Sequence, residues 1–463
     1  MTSLASQFPQ QLPHLDWITD AMKVGRLSQD FFWFSPVLKR QLMGKRAESV
    51  VRPRNEEEIK QVVAACAKAQ VPLTVRGAGT GNYGQSVPLD GGVVMDLSAC
   101  SRSLWQRPGV ARAQAGIRLT DLNRELIEGS KQELRWLPST YRSATLGGLF
   151  AGGFGGAGSV TYGPLAAPGN ILGVKAVTVE EEPQIVELRG PEALLLHHMW
   201  GTNGIVLEVE FAVAPALDWL ESIAVFETFE SALQFANGLA QSPGIAKKEV
   251  ALLADPIPAY MTTLKEYLPE GLHAVLLVHA ASAEPIVGQM AAANGGRITY
   301  RVTQAEALAS NHTLIEHAWN HTTLHALKVD KTLTYLQTAF VPGKHLEQVM
   351  NIRAMFGDEV LLHLEFIRTA DGQSTCTALP LVRFTTEERL NEIMAMHRAA
   401  GVRVNNPHTF VIEEGKQGGN LSAAQLDMKR RLDPLGLLNP GKMRAWPQRG
   451  AMVISSTPAQ EPA

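Results

Sequence analysis

The stretch RGAGTGNYG, residues 76–84, decides how this 463-residue chain folds. It follows the apolar, strand-like run VPLTV and contains a literal GxGxxG at Gly79, Gly81 and Gly84. In a dinucleotide-binding Rossmann unit this motif must open a helix. Here it leads into SVPLD, which is typical of a loop, and then into the strand-like run GGVVMDLS. The context therefore argues against a Rossmann unit.

A second glycine-rich stretch is ATLGGLFAGGFGGAGSVTYG, residues 144–163, with eight glycines. It holds another literal GxGxxG, at Gly153, Gly155 and Gly158. Residues without Cβ allow several backbone N–H groups to converge on one anion and allow phosphate oxygens to approach closely. Tight turns and close sheet packing are the alternative interpretation. Two such stretches, each predicted to lie between strands, favour a phosphate-binding site.

Outward from these stretches, the chain divides into five regions. Residues 1–48 are predicted to be a helical lead-in, and residues 49–216 alternate short strands and helices around the two glycine stretches. Residues 217–400 contain far less glycine and alternate strands with amphipathic helices, which predicts an α+β domain with a mostly antiparallel sheet. Glycine and turn signals return over 401–445, and 446–463 are predicted to be a disordered tail.

Composition excludes several classes of protein. The formal net charge is −3, without a block of like charge, so we expect neither nucleic acid nor an anionic membrane as a partner. No apolar run reaches the roughly 18 residues of a membrane helix, and the N-terminus lacks a signal-peptide pattern, so a cytoplasmic protein is expected. Cys66, Cys100 and Cys376 form no CxxC pair and are interpreted as buried thiols.

The order of motifs resembles a known family. VVRP, VPLTVRGAGTG, VVMDLS, ATLGG, GSVTYG, NILGVKAV, GTNGIVLEVEF and DPLGLLNPGKM together resemble the flavin-binding half of the vanillyl-alcohol oxidase family, with its PCMH-type FAD-binding domain. The nearest members are the glycolate-oxidase and D-lactate-dehydrogenase flavin subunits. The resemblance covers residues 50–215 and 400–443. It implies an α+β fold in which a two-subdomain FAD-binding lobe (PCMH-type over 49–216, with 401–445 returning to it) carries an inserted substrate or cap domain at 217–400.

The resemblance also assigns FAD contacts residue by residue. Backbone N–H groups would wrap the pyrophosphate at Arg76, Gly77, Ala78, Gly79, Thr80, Gly81 and Asn82. The ribityl and pyrophosphate region would be flanked by Pro138, Ser139, Thr145, Gly147 and Gly148, and the ribityl–isoalloxazine side would be lined by Ala151, Gly152, Gly153 and Gly155. The adenine end would contact Gly204, Ile205 and Val206, and Asn439 would lie near the ring. Members that bind flavin covalently through the first loop carry histidine where this chain has Thr80, so dissociable, non-covalent FAD is predicted.

Oxidation by a flavin needs a proton acceptor and a cation for an acidic substrate. His408 is the leading acceptor, because the related subunits carry a histidine in a Gly-Glu-His-Gly segment there. Pro407 and Thr409 depart from that segment, and a capping or structural role is the alternative. His363 and Glu365 would share one face of a strand, with Arg368 nearby as a cation. The alternative is a histidine beside an ion pair in the cap.

Three histidines, His317, His321 and His325, recur every four residues. On a helix they would form one stripe, which suits a metal or a substrate cleft, but a polar packing face is favoured. Asn320 and His321 could face the flavin. The His-x-Gly-Asp-Gly-Asn segment of metal-assisted relatives is missing, so no metal is assigned.

The sequence thus predicts an FAD-dependent oxidase or dehydrogenase that takes a hydride from a CH–OH group of a small molecule, with a 2-hydroxy acid as the first choice. An alcohol, phenol or sugar lactone is the alternative within enzymes. An accessory flavin-binding subunit that passes electrons to a partner protein or sister subunit is the alternative outside them.

Overall fold

The computed structural model describes residues 4–310, 312–415 and 419–446. Within them the chain forms four sheets, of four, six, eight and three strands. The predicted α+β class with a mostly antiparallel cap sheet is confirmed. Of the tail predicted at 446–463, all but Trp446 lies outside the described residues. None of the helices in the described ranges is long and apolar enough to cross a membrane.

The first sheet is small and carries the first glycine loop at its edge. Its strands lie in the order Trp17–Ile18, Ser49–Val51, Val93–Asp96 and Leu73–Arg76. The last three are parallel, and Trp17–Ile18 adds an antiparallel edge. The lead-in is therefore not helical throughout, because two bulky residues between its helices pair with Val50 and Val51. Its helices are Phe8–Gln11, Ala21–Leu27 and Pro36–Leu42.

The second sheet contains the other strands of residues 49–216. Its strands lie in the order Ser103–Arg107, Val110–Gln114, Ile205–Pro215, Ile171–Val177 and Ile185–Arg189, and Gln132–Leu134 also pairs with Ile205–Pro215. The helices around the two sheets are Glu56–Ala69, Leu119–Ser130, Leu146–Gly152 and Ser159–Tyr162. A common apolar core, which includes Val62, Leu73 and Val209, lies between these elements.

The second glycine stretch differs from its prediction, because part of it is a helix. Leu146–Gly152 begins after Thr145, whose Oγ1 accepts a hydrogen bond from the backbone N–H of Gly148. This N-cap allows a helix despite three glycines, which are poor helix formers. The second GxGxxG thus follows a helix rather than a strand, which again does not match a Rossmann unit.

The third sheet forms the cap, and every neighbouring pair in it is antiparallel. Its strands lie in the order Arg297–Thr303, Trp219–Phe226, His273–Ala280, Lys247–Leu253, His363–Arg368, Ser374–Ala378, Gln337–Ala339 and Arg403–Asn405. The cap helices are Phe229–Gln241, Glu284–Ala293, Gln304–Ala309, Asn320–Val329, His345–Phe356 and Glu387–Ala399. The three-stranded sheet consists of Leu333–Tyr335, Leu381–Arg383 and Val360–Leu361.

The C-terminal segment returns to the first sheet. After helices Ile412–Gly415 and Ala423–Leu432, the backbone of Leu73 donates to the carbonyl of Leu437 at 2.9 Å, and Asn439 donates to that of Leu73 at 2.8 Å. Strand Arg403–Asn405, which the sequence placed in this return, pairs with Gln337–Ala339 of the cap sheet. The domain boundaries 48/49, 216/217 and 400/401 remain predictions.

Candidate active site

A cavity of about 770 Å³ lies between the two glycine stretches and one face of the cap sheet. Its volume falls in the range of roughly 300–1,000 Å³ that is typical of sites for cofactors and small ligands. One side consists of residues from the loop after Leu73–Arg76 and from 138–155 and 197–206. The opposite side consists of residues from the cap strands and of Trp319 and Asn320.

The first glycine loop presents unused backbone donors to this cavity. Among the described residues, no acceptor takes the backbone N–H groups of residues 78–82, all of which line the cavity. Gly79 has φ of +67°, a conformation that only glycine adopts without strain. A Cβ on Gly77 would lie 2.2 Å from Oγ1 of Thr145, so the two glycine stretches pack in direct contact. The loop is thus shaped to bind an anion through its backbone.

Two basic side chains, those of Arg76 and Lys442, stabilise the loop through hydrogen bonds to its backbone carbonyl groups. The guanidinium of Arg76 donates to the carbonyl oxygens of Leu27, Gln29 and Ala78 at 2.8–3.0 Å, so its N–H groups serve the fold. The Lys442 ammonium donates to the carbonyl of Gly84 at 2.6 Å. Burial lowers the pKa of Lys442 to about 7.

Nearly all predicted FAD contacts line the cavity, and two lie behind its wall. Those that line it are Arg76, Gly77, Ala78, Gly79, Thr80, Gly81, Asn82, Pro138, Ser139, Thr145, Gly147, Gly148, Ala151, Gly152, Gly153, Gly155, Gly204 and Val206. Ile205 is fully buried in strand Ile205–Pro215. The side-chain N–H₂ of Asn439 donates to the carbonyls of Gln85 and Trp200 at 2.7 and 2.8 Å, so it supports two lining residues from outside the cavity.

One face of the cap sheet forms the opposite wall. Along strand Gln337–Ala339 the lining residues are Gln337 and Ala339, and along Ser374–Ala378 they are Thr375 and Thr377. Arg403 continues the row, since Ala339 pairs with both Thr377 and Arg403. This alternation follows from the two-residue period of a strand. The intervening Cys376, Ala378 and Val404 face the apolar core on the other side.

Several buried polar atoms in the wall have no partner among the described residues. They include Oε1 of Gln85, Oγ of Ser86, Nε1 of Trp200 and Oδ1 of Asn320. Buried polar groups are nearly always hydrogen-bonded, so these atoms indicate a polar ligand. Together with the free N–H groups of the loop, they fit a long cofactor that carries phosphates at one part and polar ring atoms at another.

The charge of the lining residues is entirely positive. Arg76, Arg368 and Arg403 line the cavity, whereas none of the described lining residues is an aspartate, glutamate or lysine. Arg368 donates to the carbonyl of Gly372 at 2.9 Å. Arg403 forms no salt bridge to any described residue. The cap side of the cavity therefore favours an anionic ligand.

His408 does not lie where the predicted proton acceptor should be. It is 5% exposed and is not among the lining residues. Its Nδ1 accepts from the hydroxyl of Ser35 and its Nε2–H donates to the carbonyl of Tyr335, both at 2.8 Å. Burial lowers the pKa of His408 to about 4. Both ring nitrogens are thus engaged, and the structure supports the alternative role as a structural cross-link.

His363 is also outside the lining set and is fully buried. Its Nε2 lies 2.7 Å from Oε1 of Glu365, as the shared strand face predicted, and burial lowers the pKa of His363 to about 3. This ring contacts a carboxyl group rather than the cavity. Of the three predicted catalytic residues, only Arg368 lines the cavity.

Trp319 lines the cavity in an unusual backbone conformation, with φ of +51° and ψ of −139°. A non-glycine residue there costs about 1–3 kcal/mol, and such strain is concentrated at functional sites. Its backbone N–H donates to Oε1 of Glu365 at 2.6 Å, and its indole N–H donates to Oε2 of Glu249 at 2.9 Å. Both carboxyl groups are buried, at 0% and 2% exposure.

The strained residue also breaks the predicted histidine stripe. Helix Asn320–Val329 starts after Trp319, so His317 belongs to the preceding short turn Leu314–His317. The rings of His317 and His325 stack at 4.5 Å, and His317 bonds to Thr263. Within the described ranges, no three His, Cys, Asp or Glu residues are arranged to hold a metal ion. Asn320 lines the cavity, as considered from the sequence, but His321 is not in the lining set.

Several lining residues were not predicted, notably Tyr83, Trp200, Gln337, Trp319 and Arg403. Tyr83 stacks on Trp200 at 5.8 Å, and its hydroxyl bonds to Gln337 across the cavity. Tyr83 lies within the first glycine stretch, so its position was a usable signal. The sequence contains no such signal for the cap residues, because their position in the cavity wall depends on the order of strands in the sheet.

Comparison with known proteins also indicates an FAD-binding domain. Residues 47–187 match the family described as FAD binding domain. The chain is 24% identical over 447 residues to glycolate oxidase subunit GlcD of Bacillus subtilis, covering 88% of this chain and 91% of that protein. It is 31% identical over 202 residues to D-lactate dehydrogenase of Anaerostipes hadrus, covering 41% of each chain.

Among solved structures, alkyldihydroxyacetonephosphate synthase superposes with a TM-score of 0.70 over 95% of this chain and 86% of that one. At 14% identity, this similarity shows a shared fold. The matched domain spans both glycine stretches that line the cavity, including the first loop with its free backbone donors. Residues 47–187 therefore form an FAD binding domain similar to that of FAD-linked oxidoreductases, and FAD is the cofactor of this chain.

Proposed function

We propose that this chain oxidises the CH–OH group of a small 2-hydroxy acid, with non-covalent FAD bound in the cavity between the glycine stretches and the cap sheet. The observation that carries the proposal is the charge of the cap wall. Arg403 and Arg368 line it, and no carboxylate among the described lining residues neutralises them. A guanidinium binds a carboxylate through paired, charge-assisted hydrogen bonds.

The two sides of the cavity would bind different molecules: the glycine stretches would hold the cofactor, and the cap wall would hold the substrate. The backbone donors of residues 78–82 would hold the phosphates, and Gln85 and Trp200 would meet polar atoms of the cofactor. When bound, FAD would accept a hydride from a carbon that bears a hydroxyl group, and the hydroxyl proton would pass to a base or to water. Arg403 would hold the substrate carboxylate, which fixes the orientation of the neighbouring hydroxyl-bearing carbon. The names of the relatives, glycolate oxidase subunit and D-lactate dehydrogenase, support the same substrate class.

Thr80 supports the non-covalent state. It lines the cavity at the position where covalently flavinylated relatives carry histidine. Cys66, Cys100 and Cys376, which could also form a covalent link, are buried and outside the lining set. Acid precipitation of the purified protein should therefore release the yellow cofactor into the supernatant, and colour retained in the pellet would contradict this part of the proposal.

The decisive experiment is anaerobic mixing of the holoprotein with glycolate and with D- and L-lactate. Bleaching of the flavin absorbance by a hydroxy acid, but not by the matched diol 1,2-propanediol, is the expected result, since the diol keeps the CH–OH group and lacks the carboxylate. Equal bleaching by acid and diol would reject recognition of the carboxylate. Absence of bleaching by any of them would reject the substrate class.

The electron acceptor is a second part of the proposal. The relative from Bacillus subtilis is named as a subunit, which favours a partner protein that takes electrons from the reduced flavin. Co-purification of the tagged chain from its native host tests this. A partner that speeds flavin reoxidation would support it, and rapid reoxidation by oxygen alone would favour an oxidase.

A further inference from the structure

We propose that Glu249 and Glu365 hold a proton between them and act as a positioning pair that fixes Trp319 and Asn320 in the cavity wall. The inference rests on the proposed function, because the wall they shape is the one that would face the substrate. Neither glutamate is in the lining set, so both would act through the two residues they hold.

The sheet brings the two carboxyl groups to the same place. Glu365 pairs with Ala251 across neighbouring antiparallel strands, and Glu249 lies two residues from Ala251. Residues two apart on a strand share a face, and diagonal neighbours of this kind reach each other with long side chains. Each carboxyl group also binds a different N–H of the single residue Trp319.

The hydrogen bonds leave one position for a proton. Oε1 of Glu365 receives the backbone N–H of Trp319 at 2.6 Å and contacts Nε2 of His363 at 2.7 Å. Its Oε2 is buried and meets no donor among the described residues. Two neighbouring buried carboxyl groups are not both ionised, because the charges repel and neither is solvated. A proton on Glu249 directed at Oε2 of Glu365 satisfies that oxygen.

Among the residues that the structure describes, no lysine or arginine forms a salt bridge with either glutamate, so none takes the place of this proton. The titratable side chain in contact with the pair is His363, and burial lowers the pKa of His363 to about 3, so its ring is neutral. Burial and the neighbouring Glu365 raise the pKa of Glu249 well above its usual value, and burial raises the pKa of Glu365 to about 8. The protonation steps belong to the two carboxyl groups as a unit, and the pair keeps at least one proton at neutral pH.

The pair matters for the site because of what Trp319 carries. Its left-handed backbone turns the chain from Leu314–His317 into helix Asn320–Val329. The turn places Oδ1 of Asn320, an acceptor without a partner among the described residues, in the cavity wall. A substrate hydroxyl is a donor that fits it. Without the two hydrogen bonds to the carboxyl groups, less free energy would offset the strain of this turn.

Glu249→Gln and Glu249→Leu separate positioning from general packing. The Gln variant replaces the proton with an amide N–H that donates to Glu365, whereas the Leu variant removes both the bond to Glu365 and the acceptor for the Trp319 indole. We expect Gln to keep kcat/KM for the reactive hydroxy acid within about threefold. We expect Leu to lower it more than about tenfold, with the FAD content per chain unchanged. Equal activity of all three proteins, or a Gln variant as impaired as Leu, would overturn the proposal.

An infrared measurement tests the proton itself and does not depend on activity. The difference spectrum of the wild-type protein minus Glu249→Gln at pH 7 should show the carbonyl stretch of a protonated, buried carboxylic acid. A difference spectrum without that band would overturn the proposal even if Glu249→Leu failed to fold. If no hydroxy acid bleached the wild-type flavin, the proposed function would fail, and the infrared band would still decide whether the pair holds a proton.

Discussion

The imidazole Nε2–H of His408 donates a 2.8 Å hydrogen bond to the backbone carbonyl of Tyr335. Its other nitrogen accepts from the hydroxyl of Ser35 at 2.8 Å. One buried ring thereby connects the N-terminal lead-in, the small three-stranded sheet and the C-terminal segment. The two partners also fix the tautomer, since Nε2 must carry the hydrogen.

His408→Ala should therefore destabilise the fold more than it slows the chemistry. Two buried partners lose their hydrogen bond and a cavity is left, which together cost about 2–4 kcal/mol in the free energy of unfolding. Flavin reduction by substrate in the folded protein should stay within about threefold of wild type, since a lost general base costs about a hundredfold or more. Urea unfolding and stopped-flow reduction measure the two effects. A rate reduced a hundredfold with unchanged stability would restore His408 as the proton acceptor.

Buried neutral histidines also predict how acid affects stability. Burial lowers the pKa values of both His408 and His317 to about 4, whereas the unfolded chain has the ordinary value of about 6.5. Between these values the unfolded chain binds more protons, so this contribution is complete above about pH 6.5 and is lost as the pH falls towards 4. Each histidine should lower the free energy of unfolding by about 2 kcal/mol between pH 7 and pH 5.

The comparison is best made between variants, because raised carboxyl pKa values act in the opposite direction. The free energy of unfolding of His317→Gln should fall less steeply from pH 7 to pH 5 than that of wild type. Its matched control is His14→Gln, since His14 is exposed. Parallel curves for His317→Gln and wild type would show that His317 is not held neutral in the fold.

Gly79→Val should abolish FAD retention. Gly79 has φ of +67°, and a Cβ would lie 2.3 Å from Nη2 of Arg76, the side chain that anchors the loop. Backbone strain and this contact would displace the free N–H groups of residues 78–82. Gly109→Val is the matched control, because Gly109 has a similar φ of +79° with nothing within 4 Å of its Cβ and lies outside the cavity. Flavin absorbance per chain measures the outcome, and full occupancy in Gly79→Val would reject the role of the loop.

The sequence predicts the flavin side of the site better than the cap side. Gly79 and its neighbours are informative because an extended strand that ends in glycines requires a special backbone, and this requirement is local. Arg403 is different, since it reaches the cavity only because Ala339 pairs with it on one side and with Thr377 on the other. Pairing between strands far apart in sequence depends on the packing of the whole sheet.

The single helix that the histidine spacing implied is interrupted for a related reason. The four-residue spacing of His317, His321 and His325 suits one continuous helix, but the backbone of Trp319 breaks it. That break is stabilised by Glu249 and Glu365, which are distant in the chain. His408 shows the same limit, because the polarity of a histidine does not reveal whether its partners are a substrate or the buried groups of Ser35 and Tyr335.

Arg403→Gln should weaken the use of an acidic substrate while leaving the cofactor bound. Arg403 is exposed, so a lost charge-assisted pair costs about 1–2 kcal/mol, or roughly 5–30-fold in kcat/KM for the hydroxy acid. The effect should appear mainly in KM, because the carboxylate is bound equally before and during hydride transfer. Arg398→Gln makes the same charge change at a neighbouring exposed position outside the cavity, and it should behave like wild type. If both variants lost activity equally, the effect would come from the overall charge. If neither lost activity, Arg403 would not bind the substrate, and Arg368 would be the remaining cation of the cap wall.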